Sequence, residues 1–506
     1  CYGPAEAFAN LGEHRYLAVF LAGAIMVTVF IISACYSHII EEFPSGGGGY
    51  LVASKLLGER VGAVSGCALM VDYVLTVTVS IASAGDALFS LGPPAWQEWK
   101  LPAEVGLIFV LIVLNLRGVK ESVQILTPIF LLFLLTHFVL IVGAVGMHFS
   151  SAGTLAQNVY SEVRSGIGSP TFGFLAMLGL LLHAYSLGGG TYTGLEAVSN
   201  SMPVIREPRV ANAKRTMLYM ACSLAFTAGG LILAYLLLDI RFREDKTMNY
   251  LLTASFLDEI GIGGGGLGFT FLWATLLSEG ALLVVAAQAG FIGGPRTLGY
   301  MAHDSWAPRW FSTLSERLAT ENGILLMGAS ALAALWYTHG NVGTLVIMYS
   351  INVFLTFSLS MIGMCRHWWA RRGGDALWRR RLALFVVGAI LCVGILAVTV
   401  VQKFSEGGWV TLAVTGVCIV TALLIHRYYR RVGEKLKVLD QTLGQIPTKG
   451  EPCSAPLDPT RPTALILVGG YSGLGIHTLL NVVRFIPDYF RNFVFISVGV
   501  VDSGNF

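Results

Sequence analysis

The chain has 506 residues, 55% of them hydrophobic and 12% charged, with a formal net charge of +3. A soluble domain carries about 25% charged residues, so the composition excludes an ordinary soluble protein and points to a polytopic membrane protein. The basic residues are segregated along the chain rather than pooled, so no nucleic-acid partner is indicated. The eight cysteines fall mostly in apolar segments without metal-like spacing and read as small core residues, so no metal or resident cofactor is expected.

In chain order, Cys1 to Asn10 reads as the second half of a spanning helix, followed by a crossing from Tyr16 to Ile40 that ends at Glu41-Glu42. The chain opens on Cys rather than Met and stops soon after an apolar run, which reads as a piece of a longer protein. A glycine loop from Pro44 to Gly49 leads into one long segment, Tyr50 to Leu91. Leu101 to Leu116 and Val123 to Met147 span next, around a polar turn, and a polar loop runs on to Ser169. Thr171 to Asn200, Met217 to Leu238 and Phe269 to Ile292 follow, with a flexible glycine loop expected after Asp258. Ile324 to Tyr337, Val342 to Met364, Leu382 to Val401 and Val410 to Ile425 complete about twelve crossings of about 20 residues each.

Alternate loops collect the basic residues, among them Arg206, Arg209, Lys214, Arg296, Arg371, Arg379 to Arg381 and Arg427 to Arg431. By the positive-inside rule those loops and the C-terminal tail are cytoplasmic. Residues 1–431 are then the membrane domain and 432–462 a polar, proline-bearing linker. Residues 463–506 open a cytoplasmic α/β domain: strand at Thr463, glycine turn, helix from Leu474, strand from Phe493.

Two stretches carry chemistry. In Leu187 to Asn200, Gly188, Gly189 and Gly190 precede Thr191, Tyr192, Thr193, Gly194 and the acid Glu196, all inside an apolar segment. Backbone in hydrocarbon satisfies its own polar groups unless it lines a protein-enclosed cavity, so this reads as a discontinuous helix meeting a substrate. The competing reading is a glycine kink packed on a neighbour, with Glu196 at a membrane edge. In the second stretch Asp72, Thr76 and Ser80 fall on one helical stripe, bordered by Tyr73. A carboxylate and hydroxyls on an otherwise greasy helix make a hydrophilic track, and a desolvated Asp72 can hold and release a proton. Thr78 fits a hydroxyl bonding the carbonyl one turn back.

Tyr2-Gly3-Pro4 is a second candidate break, or a plain helix start with Pro in the first turn. Tyr349 sits mid-segment and needs a partner or a ligand. Glu279 is either a coupling acid or a residue facing a polar vestibule. His183 and Asp86 read as satisfied structural groups, and no Ser-His-Asp or Cys-His set assembles, so no enzyme is expected.

Tyr2-Gly3-Pro4, the Pro-x-Gly-Gly-Gly loop at Pro44, DYVLTVTVS at Asp72 and GTYTGLEAVSN at Gly190 together resemble the amino acid-polyamine-organocation superfamily, most nearly its KimA-type potassium importers. NLRGVKES at Asn115, REPRVANAKRT at Arg206, GPRTLGYMAHDSWAPRWF at Gly294 and YSINVFLTFSLS at Tyr349 extend the likeness through the membrane part. The resemblance implies an all-α, LeuT-like fold with a five-plus-five inverted repeat and proton-coupled potassium import by alternating access across the plasma membrane. It implies ion-binding roles for Tyr2, Tyr73, Thr76, Ser80, Thr193 and Tyr349, and proton coupling through Asp72 and Glu196. Gly3, Gly188, Gly189, Gly190 and Gly194 would supply the break backbone. The tail resembles universal-stress-protein domains, which implies a homodimer through that domain and a regulatory cyclic dinucleotide on it. Expected partners are otherwise the lipid bilayer and the ion. The residues before the loop at Gly293, Gln288-Ala289-Gly290, lack the hydroxyls of a LeuT-type sodium site, and Glu279 departs from the family pattern. An amino acid permease of the same superfamily and a transporter-shaped sensor are the alternatives.

Overall fold

The computed structural model describes residues 2–497 except 45, 47, 119–122, 169–172, 193, 203–204, 244, 316–318, 375, 444–457 and 470–471, and describes no side chains at 123–125. The chain is helical almost throughout. Its helices are α1 (Tyr2–Ala9), α2 (Ala18–Glu42), α3 (Gly49–Leu57), α4 (Glu59–Phe89), α5 (Lys100–Leu116), α6 (Val123–Met147) and α7 (Ala152–Gly168). Next come α8 (Gly173–Leu187), α9 (Gly194–Asn200), α10 (Arg209–Leu237), α11 (Met248–Glu259) and α12 (Gly266–His303). Then follow α13 (Glu321–Thr338), α14 (Val342–Ala370), α15 (Trp378–Lys403) and α16 (Trp409–Leu443). A short α/β stretch closes the described chain: β1 (Thr463–Leu467), α17 (Gly473–Phe485) and β2 (Asn492–Ile496).

Among the described residues, nine helical stretches are long and apolar enough to cross a membrane, against about twelve expected. The difference has three plain sources, the first being α1, which has only eight residues. α13 has only 18 residues and opens on Glu321 and Asn322, and it is not among the nine. The stretch Trp378–Leu443 counts once, although a wide turn at Phe404–Gly408, with Gly407 at φ 113°, divides α15 from α16. That φ lies in the left-handed region that side chains avoid.

Several boundaries move. The expected single segment from Tyr50 to Leu91 is two helices, parted at Gly58 (φ 106°). The polar loop expected up to Ser169 is helical, carrying α7. α11 precedes the glycine turn after Asp258, its first turn capped by the Thr247 hydroxyl accepting from Tyr250 N–H at 3.3 Å. α12 does not stop near Ile292 but continues through Pro295 to His303. α16 runs past Arg431 to Leu443, so the linker expected from 432 begins as helix.

The chain divides into two compact units, Cys1–Leu298 with Ser315–Ile419, and Gly299–Leu314 with Val420–Phe506. In the first, α4 and α14 are the most enclosed spans, while α5 and α6 present Phe109, Leu135 and Phe138 to the outside. Polar residues on α4 and α14 are therefore the ones that need partners inside the protein. In the second unit Trp306 stacks on His426 with centroids 3.9 Å apart, and β1 pairs with β2 in parallel, Thr463 opposite Asn492. A parallel pair needs a crossover, and α17 supplies it.

Candidate functional site: a polar chamber at the glycine break

The run Gly188 to Tyr192 forms a tight 3₁₀ turn between α8 and α9. Each glycine admits a different neighbour. A Cβ on Gly188 would stand 3.0 Å from Ile25 of α2, and one on Gly189 would stand 3.1 Å from Ser350 and 3.2 Å from Phe354 of α14. A Cβ on Gly190 would collide with the ring of Tyr2 on α1. A Cβ on Gly3 of α1 would in turn approach Thr191 Oγ1 at 2.9 Å, and one on Gly194 would approach Met220 of α10 at 3.2 Å. The break is thus a crossing point where α1, α2 and α14 press on bare backbone. Both sequence readings hold in part: the helix is interrupted, and its glycines are packed. Thr191 and Tyr192 are buried; the Thr191 hydroxyl finds no hydrogen bond, and that of Tyr192 lies close to Tyr185 and Thr28 without a well-aligned one. Thr193 lies outside the described residues.

Gly3 and Pro4 lie in α1, the first described helix. A break upstream of Tyr2 falls outside the described residues.

Opposite the turn, α4 carries Asp72, Thr76 and Ser80 on one stripe, and Ser83 extends it by another turn. Asp72 is 8% exposed, and its Oδ1 is buried without a hydrogen bond. Tyr349 on α14 is fully buried; its hydroxyl lies close to Thr76 of α4 but forms no well-aligned hydrogen bond. Asp72 lies within electrostatic reach of both Tyr2 and Tyr349. Thr78, by contrast, is satisfied: its hydroxyl donates to Val74 O at 2.9 Å and Ala331 O at 3.3 Å. A buried polar atom without a partner costs about 1–3 kcal/mol, so the Asp72–Tyr349 group is either strained or built for a ligand that completes it.

Glu196, 5% exposed on α9, is tied to the loop before α3. Its Oε1 accepts from Gly49 N–H at 2.8 Å. A Cβ on Gly49 would stand 2.9 Å from that same oxygen, and one on Gly48 would overlap Asn200. The glycines of the Pro44 loop let α3 begin directly on this acid, where the helix dipole favours negative charge. Asn200 Nδ2 donates to the Tyr73 hydroxyl at 2.8 Å, and Arg296 reaches Asn200 O at 3.5 Å. Tyr73 thus joins α4 to α9 beside Gly293 of α12, off the Asp72 stripe.

A cavity of about 600 Å³ is lined by Tyr2, Glu6, Ser83, Asp86, Lys100, Lys246 and Glu279, among others. Asp86 pairs with Lys100, in line with a satisfied structural group. Glu279 faces this cavity: its Oε1 accepts from Asn249 Nδ2 at 2.7 Å, and Asn249 Oδ1 accepts from the Tyr235 hydroxyl. Sequence reasoning missed Glu104, 2% exposed with neither carboxylate oxygen hydrogen-bonded and Lys100 at 3.9 Å. It also missed Lys403, fully buried with Glu406 at 3.9 Å. Both lie near segment ends, where charge reads as solvent-facing; only the tertiary fold encloses them.

Residues 4–425 match the family described as amino acid permease. The chain is 31% identical over 422 residues to the potassium transporter KimA of Bacillus subtilis strain 168, covering 83% of this chain and 66% of that protein. It is 25% identical over 239 residues to the methylthioribose transporter of the same bacterium, covering 41% of this chain and 48% of that one. Neither relative is spanned to two thirds of its length. Among solved structures, MhsT in complex with L-phenylalanine is similar at 13% identity and a TM-score of 0.48, covering 79% of this chain and 94% of that one. The two Bacillus subtilis relatives are transporters rather than enzymes, and the apolar helices make this a multi-pass membrane protein. The chain belongs to the amino acid permease family.

Proposed function

We propose that the chain imports potassium together with a proton by alternating access, on a LeuT-like frame of five-plus-five inverted helices. The observation that carries this reading is the buried Asp72 carboxylate, one oxygen unpaired, on the same helical stripe as Thr76 and Ser80 and within electrostatic reach of Tyr349 and Tyr2. Neutral oxygens from Thr76, Ser80, Thr193 and the two tyrosines suit a dehydrated monovalent cation, and Asp72 or Glu196 carries the proton. The likeness to a potassium transporter supports the choice of ion. With basic loops facing the cytoplasm, the cavity at Tyr2 opens outward, and each charge moved inward across the plasma membrane gains about 2.3 kcal/mol per 100 mV.

An amino acid permease is the second reading, favoured by the family match. Its substrate carboxylate needs open amides at the break. Here the Tyr2 ring stands against Gly190, and two acids lie nearby, which favours the cation. We further propose that the C-terminal unit is cytoplasmic and dimerises. A cyclic dinucleotide at the start of α17 would have to displace Asp440, whose carboxylate accepts from Gly473 N–H at 2.6 Å.

The test is growth of a potassium-uptake-deficient bacterium at low potassium with the full-length protein expressed. Failure there, with radiolabelled amino acid uptake present, reverses the choice. A protein that moves neither substrate is a sensor.

A further inference from the structure

The cavity above Tyr2 holds three basic and four acidic side chains among the described residues, and their pairing is uneven. Lys100 pairs with Asp86, and Arg243 with Asp245 at 3.2 Å. Lys246 is spent on the carbonyls that end α4, Ser90 O at 2.5 Å and Gly92 O at 3.1 Å. Glu6 has the buried Lys403 within electrostatic reach, which leaves Glu279 as the lining acid with no Lys or Arg partner among the described residues. Glu279 is 5% exposed; one oxygen is held by Asn249, and Oε2 is buried with no hydrogen bond. Ser83, also on that wall and 6% exposed, has an unpaired hydroxyl. The Tyr235–Asn249–Glu279 chain fixes the acid's rotamer from α10 and α11, so the free oxygen is held in place rather than left to chance.

We infer that Glu279 anchors a second cation site in this vestibule, with Ser83 as a neutral ligand, one stage above the Asp72 chamber. The unpaired groups are oxygens, which select a hard cation over an anion or an amine that needs shaped contacts. Among the described residues no three His, Cys, Asp or Glu side chains come close enough to hold a metal ion, so a divalent chelate is unsuited. A monovalent ion that keeps part of its water shell fits. A low-dielectric cleft holding an unpaired carboxylate raises the local concentration of such an ion, so the site feeds the chamber below. The inference rests on the proposed cation transport but is separable from it.

The experiment measures ⁸⁶Rb⁺ retained by the purified full-length protein. Asp72→Asn, which disables the chamber, is expected to keep about half of the wild-type Rb⁺, displaceable by K⁺. Asp72→Asn with Glu279→Gln is expected to keep none. Glu279→Gln alone should raise the Rb⁺ concentration for half-maximal uptake roughly tenfold while sparing the maximal rate. No Rb⁺ on the Asp72→Asn protein, or undiminished Rb⁺ on the double variant, overturns the site. Should Glu279→Gln fail to fold, Asp72→Asn with Ser83→Ala decides: binding equal to that of Asp72→Asn alone overturns it. Rb⁺ held by the Asp72→Asn protein with no uptake by wild type sinks the transport reading and leaves the site standing; uptake by wild type with no such binding does the reverse.

Discussion

Replacing Glu196 separates charge from geometry at the tie between α9 and α3. Glu196→Gln keeps an acceptor for Gly49 N–H, now 2.8 Å from a carboxylate oxygen, but removes the charge. The loss is the difference between a charge-assisted and a neutral hydrogen bond plus the helix-end attraction, together roughly 1 kcal/mol. Glu196→Ala also strands the buried Gly49 N–H and leaves a void, costing roughly 2–4 kcal/mol. Thermal unfolding of the two purified variants should therefore rank them wild type, Gln, Ala. Uptake should not follow that ranking. If Glu196 handles the proton, the Gln variant, still folded and inserted, should fall to background in a rubidium uptake assay. Wild-type uptake by Glu196→Gln refutes the coupling role. Equal stability of Gln and Ala refutes the hydrogen bond as the tie.

Asp72→Asn should flatten the pH dependence of uptake; an unchanged profile between acid and neutral pH counts against proton handling there. Lys100→Ala strands Asp86 and Glu104 and should destabilise by roughly 2–3 kcal/mol, less than a fully buried pair because Asp86 is partly exposed. Adding Glu104→Gln should recover part of that loss in the same thermal assay. Gly190→Ala drives a methyl into the Tyr2 ring and should cost roughly 1–3 kcal/mol and abolish uptake. Pairing it with Tyr2→Ala should restore melting temperature but not uptake, whereas a single variant with full uptake refutes the packed crossing.

Chain order, charge segregation and the glycine run were enough to show a polytopic helical protein, an interrupted helix near Gly188 and a polar stripe on the Asp72 helix. Those features live on local periods: apolar length, spacing of three and four residues, and the backbone preferences of glycine. The strand–turn–helix–strand run at Thr463 was legible for the same reason. What touches each glycine was not legible, because Ile25, Ser350 and Tyr2 reach Gly188 to Gly190 from distant parts of the chain. The two readings of Glu279 were also undecidable in one dimension. Only the placement of α11 beside α12, with Asn249 holding one carboxylate oxygen, turns it toward the cavity. Likewise Tyr73 neighbours Asp72 in sequence, yet a helix turns by about 100° per residue, so its hydroxyl meets Asn200 instead. Local sequence determined which helices break and where polar groups enter the apolar layer. Tertiary packing alone decided which of those groups are satisfied and which, like Asp72, Tyr349 and Glu279, are left with an oxygen to offer.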